Sequence, residues 1–172
     1  MGSLREAKLR AGMAGSLLAG SLILFVLAFM QVAGLFNPIN LTVMTALVVV
    51  AGYVYGNFKT ALGEKWFTRL GPPVIGLAAV GVALMWAGSQ IGPLLVVVAY
   101  WGEPVMGYFI YKKLRWTHRA WAAVFLASAA LYAYTLPLVL AGLWAVPAAA
   151  DAVKLVALAY FMSRKELVLE DK

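Results

Sequence analysis

Long apolar stretches alternate with short basic ones along this chain, and the alternation is regular enough to read as a series of membrane crossings. Thirteen of the fourteen Lys and Arg residues fall into four groups: Arg5, Lys8, Arg10; Lys59, Lys65, Arg69; Lys112, Lys113, Arg115, Arg119; and Arg164, Lys165, Lys172. Successive groups are separated by roughly 40–50 residues, about twice the ~20 that an α-helix needs to cross ~30 Å of hydrocarbon. Each stretch must go out and come back. Near the middle of each lies an uncharged turn signal: Gly34 to Asn40 with Pro38, Gly88 to Pro93, and Gly142 to Pro147. The pattern predicts an all-α, polytopic membrane protein of six transmembrane helices in three antiparallel hairpins. The expected spans are approximately 11–35, 40–57, 71–88, 92–111, 118–141 and 147–163, within one membrane domain over residues 1–172.

Charge adds direction to that picture. Lys and Arg in short loops stay on the cytoplasmic side, so all four basic groups and both termini are expected inside, giving an N-in, C-in, multi-pass protein of the cell membrane. The basic start followed by an apolar run resembles a secretory signal, but Ala11 to Phe36 is far longer than a signal's apolar core. It reads as a retained first span. Within the second basic loop, Lys59 to Leu70, the rings of Trp66 and Phe67 together with Lys59, Lys65 and Arg69 predict a short interfacial helix. Trp66 and Trp116 each sit in a basic loop before an apolar span, a weak sign of internal repetition.

Composition narrows the function classes. The chain is 64% hydrophobic, with a mean hydropathy of +0.88, which places it outside soluble globular domains. Its net charge of +7 resides in the loops and fits anionic lipid headgroups of the bilayer rather than nucleic acid, for which no role is expected. With no Cys and only His118, the sequence offers neither thiolate chemistry nor a paired-histidine haem or metal site, so no cofactor is expected. His118 reads as a solvated residue of the interface. No HExxH, GxSxG or phosphate-cradling glycine loop is present, and the chain is not expected to be an enzyme.

Apolar spans gain little from hydrophobicity when they meet one another in lipid, so small residues must let them pack closely. Gly12, Ser16 and Gly20 recur on one face of the first span, Gly52 and Gly56 form a GxxxG in the second, and Ala122, Ala123, Ala127 and Ala130 crowd the fifth. These predict packing within the bundle, with a homo-oligomer or partner membrane subunits as the other use of such faces.

The candidate chemistry lies in three ionisable residues inside the expected spans: Glu103, Asp151 and Lys154. Each costs about 2.5–3.5 kcal/mol at the bilayer centre, so each should face protein or water rather than lipid. Counting ~1.5 Å per residue from the outer turns puts Glu103 near the midplane and Asp151 and Lys154 in the outer third. Asp151 and Lys154, three apart, share a helical face and are expected to pair. Glu103 is followed by Pro104, which frees the carbonyl of Tyr100, and flanked by Gly102 and Gly107, which permit close approach. An acid beside a broken hydrogen-bond ladder is how transporters hold ions and polar solutes. Tyr100, Tyr132 and Tyr134 lie deep enough to line a polar cavity around Glu103, Tyr108 lies one turn beyond it, and Pro137 allows a kink nearby. Tyr55, Tyr111 and Tyr160 read as interface anchors. The expected site is therefore Glu103, Tyr100, Tyr108, Tyr132, Lys154 and Asp151. The expected function is transport or permeation of a small solute or ion, with a non-catalytic integral subunit of a larger membrane complex as the second reading.

Overall fold

In the computed structural model, which describes residues 2–164, every regular element is helical. The order is α1 (Gly2–Ala33), α2 (Pro38–Leu62), α3 (Lys65–Trp86), α4 (Ile91–Tyr100), α5 (Gly102–Thr135), a 3₁₀ turn (Leu136–Ala141) and α6 (Ala145–Ser163). Five helical runs are long and apolar enough to cross a membrane: Leu4–Ala33, Pro38–Leu62, Lys65–Trp86, Ile91–Ala141 and Ala145–Ser163. The fourth joins α4, α5 and the 3₁₀ turn and covers both stretches expected as the fourth and fifth spans.

That run has 51 residues. Drawn straight it would measure about 76 Å, more than twice the hydrocarbon thickness. It folds back on itself. At His118 the backbone leaves the helical region, with φ −143° and ψ 66°. A Cβ placed on Gly107 would lie 3.7 Å from the side chains of both Phe125 and Leu126. On a straight helix Gly107 and Phe125 would be about 27 Å apart. The rings of Tyr100, at the end of α4, and Tyr132, further from the bend, stand 5.5 Å apart, so the two halves of the run lie side by side.

Glycine makes the other reversals. Gly34, Gly63, Gly88 and Gly142 all have positive φ, between 65° and 82°, a region that L side chains avoid. Asn37 caps α2 by accepting a hydrogen bond from the Ile39 amide at 2.9 Å, with Pro38 in the first turn where no amide is needed. Gly63 ends α2 and α3 begins two residues later, so the interfacial helix expected over Lys59–Leu70 does not form as a separate element. Trp66 is exposed as expected, but Phe67 is 1% exposed and packs edge-on against Phe58 and Phe109. A ring that completes the core gains more from those contacts than from a place at the surface. Near Pro137 the α-helix tightens into the 3₁₀ turn, as the loss of an amide in a helix interior favours.

Pairs of neighbours pack most closely: α1 along α2, α3 along α4, α5 along α6, with α6 also against α1. Where α3 meets α4 the backbones touch, because a Cβ on Gly81 would stand 2.9 Å from the Gly92 carbonyl and one on Gly92 only 2.6 Å from the Gly81 carbonyl. Gly12 admits the Phe58 ring against α1, and Gly20 admits Leu155 of α6, so the small-residue face of the first span serves the bundle. Gly52 and Gly56 do not. Both are exposed with no atom within 4 Å of a Cβ, and α1 is received instead by the Phe58 side of α2. Of the alanines expected to crowd the fifth span, Ala122 is buried while Ala123 and Ala127 are exposed; Ala129 and Ala133 fill the interior face in their place.

The described members of the four basic groups gather at one end of the bundle. Arg10 donates to the backbone carbonyls of Met162 and Arg164, and Lys112 lies 3.5 Å from Glu64. His118 sits at the same end with its Nδ1 3.4 Å from the Tyr160 hydroxyl, and Tyr160 stacks on Trp121 at 4.4 Å. Lys165 and Lys172, assigned to the last basic group, lie outside the described residues.

Candidate functional site

The buried stripe of α6 runs Pro147, Ala150, Asp151, Lys154, Ala157, Leu158 and Phe161, an i, i+3/i+4 repeat in which both charged residues take core positions. Placed there, they must find partners inside the protein. Lys154 Nζ lies 2.6 Å from Asp151 Oδ1 and 2.8 Å from Glu103 Oε1. Its side chain is 5% exposed, that of Asp151 is 0% and that of Glu103 is 29%. One ammonium thus bridges two carboxylates. The outer pair expected from the sequence forms, but it is not separate from Glu103, because the four-carbon stem of the lysine reaches across the difference in depth.

Glu103 is held by an interruption between α4 and α5. The helix breaks at Trp101, whose amide bonds to the Val98 carbonyl three residues back, and it restarts at Gly102, so that Glu103 falls in the first turn of α5. Free amides and the helix dipole at that end favour a carboxylate. Gly102 allows the break to sit against Val74 of α3. Tyr132 is 1% exposed and its ring lies 4.8 Å from Lys154 Nζ, within cation–π range, while Tyr100 meets Tyr132 edge to face.

Five of the six expected site residues therefore converge: Glu103, Lys154, Asp151, Tyr100 and Tyr132. Tyr108 does not. It is 49% exposed and faces Phe109 and Tyr111, on the outer side of the limb whose inner side carries Gly107 and Ile110. Tyr134, expected to line the same cavity, is 64% exposed on the outside of α5, since it lies two residues from Tyr132 and so on the other side of the helix.

Charge does not balance within the cluster. Two carboxylates face one ammonium, leaving one negative charge in excess, and Glu103 Oε2 and Asp151 Oδ2 are buried without a hydrogen-bond partner. Unpaired charge in a low-dielectric interior is costly, so the site calls for a proton or a second cation. Gly20 is the residue that sequence reading assigned to packing alone; a Cβ there would stand 3.3 Å from Asp151 Oδ2, so its bare backbone makes room for that carboxylate.

Beside the cluster lies a cavity of about 220 Å³. It opens between α2 and α3, which are joined at both ends and part in the middle. At one end Trp86 Nε1 donates to Thr45 Oγ1 at 3.1 Å, and at the other the Tyr55 hydroxyl donates to the Thr68 carbonyl at 2.8 Å. Between these ties the facing residues are Val48, Ala51 and Val54 on α2 and Val74, Ile75 and Ala78 on α3, all half-exposed. Glu103, Lys154 and Tyr100 form the polar part of its wall; Asp151 stands behind Lys154, out of contact with the cavity. Among the described residues no group of three or more His, Cys, Asp or Glu side chains is placed to hold a metal ion.

No protein-family model matches the chain, and neither a curated protein nor a solved structure is significantly similar to it.

Proposed function

We propose that the protein is an integral membrane transport or permeation protein for a small solute or ion, with Glu103, Lys154 and Asp151 as its polar centre. The observation that carries this reading is the position of an unbalanced, buried charge cluster on the wall of a 220 Å³ cavity between transmembrane-length helices. A cluster that only fastened helices together has no need to meet a cavity; this one sets two carboxylates against one ammonium, and its Glu103 side chain is 29% exposed on the cavity wall. The interrupted helix at Trp101 supports the same reading, because broken helices near the membrane centre supply backbone and side-chain groups to solutes.

The chain crosses the bilayer six times in this reading. The 51-residue run reverses at His118, and its only charges apart from Glu103 are Lys112, Lys113, Arg115 and Arg119, at the bend. With the basic groups at one end, the positive-inside tendency orients that end to the cytoplasm.

The test is flux in reconstituted vesicles. Glu103→Gln keeps the shape of the side chain and deletes its charge. The variant should fold and insert like the parent and lose solute- or proton-coupled flux; undiminished flux would exclude Glu103 from the path.

A second reading, a non-catalytic subunit of a larger membrane assembly or of a homo-oligomer, is favoured by the exposed Gly52 and Gly56, which with Ala7 and Ala11 of α1 leave a shallow groove open to another helix. Mild-detergent purification distinguishes it: fixed partner chains that depart when Gly52 is changed to Leu would support it, and a monodisperse monomer would not.

A further inference from the structure

The cavity and the charge cluster together specify a class of ligand. Apart from Glu103, Lys154, Tyr100, Tyr55 and Ser16, the walls are hydrocarbon, aromatic rings and thioethers. A volume of about 220 Å³ exceeds the ~150 Å³ that accommodates a benzene ring in a dry apolar cavity, so a single ring or short alkyl chain bearing one polar group fits. The sign of that group follows from the cluster. Glu103 and Asp151 outnumber Lys154, and the Glu103 side chain lines the cavity. Lys154 is itself an alkylammonium seated 2.8 Å from Glu103 Oε1, so this carboxylate already holds the chemistry of such a ligand. Tyr100, from the same wall, adds an aromatic surface suited to a cation.

Access points to the same class. The facing residues Val48, Ala51, Val54, Val74, Ile75 and Ala78 are half-exposed between the two ties that join α2 and α3, so the cavity meets the surroundings along the flanks of transmembrane-length helices rather than through a polar mouth. A ligand that arrives there must partition into hydrocarbon before it is bound. An inorganic cation or a polyamine does not; a small apolar amine does, and it gains its proton or keeps it beside Glu103.

We propose that this cavity binds a small apolar amine as its ammonium ion, the ammonium on Glu103 and the hydrocarbon body between α2 and α3. The assignment deepens the transport reading and rests on the same cavity, but it is decided by equilibrium binding and not by flux. Benzylammonium serves as the probe, with benzyl alcohol and phenylacetate as neutral and anionic partners of nearly the same shape, titrated calorimetrically into detergent-solubilised protein. Benzylammonium should bind at least about tenfold more tightly than benzyl alcohol, and phenylacetate should not bind measurably. Ala51→Phe, which fills the cavity, should abolish binding of both. Asp151→Asn never touches the ligand yet removes the excess charge, so it should weaken benzylammonium several-fold and leave benzyl alcohol unchanged; Glu103→Gln should erase the preference for the cation. Equal affinities for the ammonium and the alcohol, or no ammonium binding by folded protein, overturn the inference. If vesicles nevertheless carry some other solute in a Glu103-dependent manner, the transport reading survives without it. If the ammonium binds as described and no solute crosses, the site stands and transport falls.

Discussion

The hydroxyl of Tyr55 on α2 donates at 2.8 Å to the carbonyl of Thr68 on α3, and that carbonyl is one that Pro72, lacking an amide, cannot serve. Two consecutive prolines, Pro72 and Pro73, sit inside α3, and Gly71 just before them gives the Tyr55 ring room to lie flat against the backbone. A phenol thus replaces a helical hydrogen bond in a setting where an orphaned acceptor is expensive. Tyr55→Phe should destabilise the protein by about 1–2 kcal/mol, since it leaves the carbonyl unsatisfied and keeps the ring. Thermal unfolding in detergent measures this, and Tyr53→Phe, at a position 57% exposed, is the control that should change nothing.

The charge cluster predicts strong non-additivity. Lys154→Met leaves two carboxylates buried without their cation and should cost about 3–5 kcal/mol, whereas removing all three charges at once, by Glu103→Gln, Asp151→Asn and Lys154→Met together, should recover most of that loss. Denaturation midpoints of the single, double and triple variants test the coupling. Simple summation would mean that the three groups do not share one network.

At the contact of α3 and α4 a single methyl group has nowhere to go. Gly81→Ala sets a Cβ against the Gly92 carbonyl and Val96, and backbone gives way less readily than a side-chain tip, so a loss of about 1–3 kcal/mol is expected. Gly52→Ala, in open surroundings, should stay within about 0.5 kcal/mol of the parent. Unfolding measured side by side separates a requirement for glycine from a mere tolerance of it.

Orientation is checked by reporter fusions. Those after Asn37, Ser89 and Leu143 should report the outer side, and those after Lys65 and Arg115 and at the C-terminus the cytoplasm. A cytoplasmic signal from any of the first three sites contradicts the six-crossing arrangement.

How far the sequence foretold these features depends on the range of the interaction. The helices, their approximate ends and the spacing that pairs Asp151 with Lys154 follow from local pattern, which is set by hydrophobic period and by turn residues such as Gly34, Asn37 and Gly88. The partnership of Lys154 with Glu103 crosses 51 residues; the sequence offers either Lys154 or a tyrosine as a partner of Glu103, but no local spacing selects between them. The reversal at His118 carries no glycine or proline, so nothing local marked its position within the basic loop. The cavity was illegible for a different reason: it lies between α2 and α3, which the ties Thr45–Trp86 and Tyr55–Thr68 join at their ends, and no local pattern reveals how far two helices part between such ties. Tyr55 read as an anchor and Phe67 as an interfacial ring because both lie beside lysines, and only the tertiary fold turns them inward.

The reversal at His118 has a mechanical consequence. It is accomplished at one non-helical residue, with no linker whose slack could let one limb of α5 slide along the other; the limbs are engaged near the bend through Gly107 and Phe125, and beyond the break at Trp101 the end of α4 meets the second limb through Tyr100 and Tyr132. A displacement by one helical turn, about 5.4 Å, would have to be absorbed at a single residue. The carboxylate of Glu103 is therefore held beside a fixed fold-back, and α6, packed along α5 and against α1, keeps Lys154 in step with it.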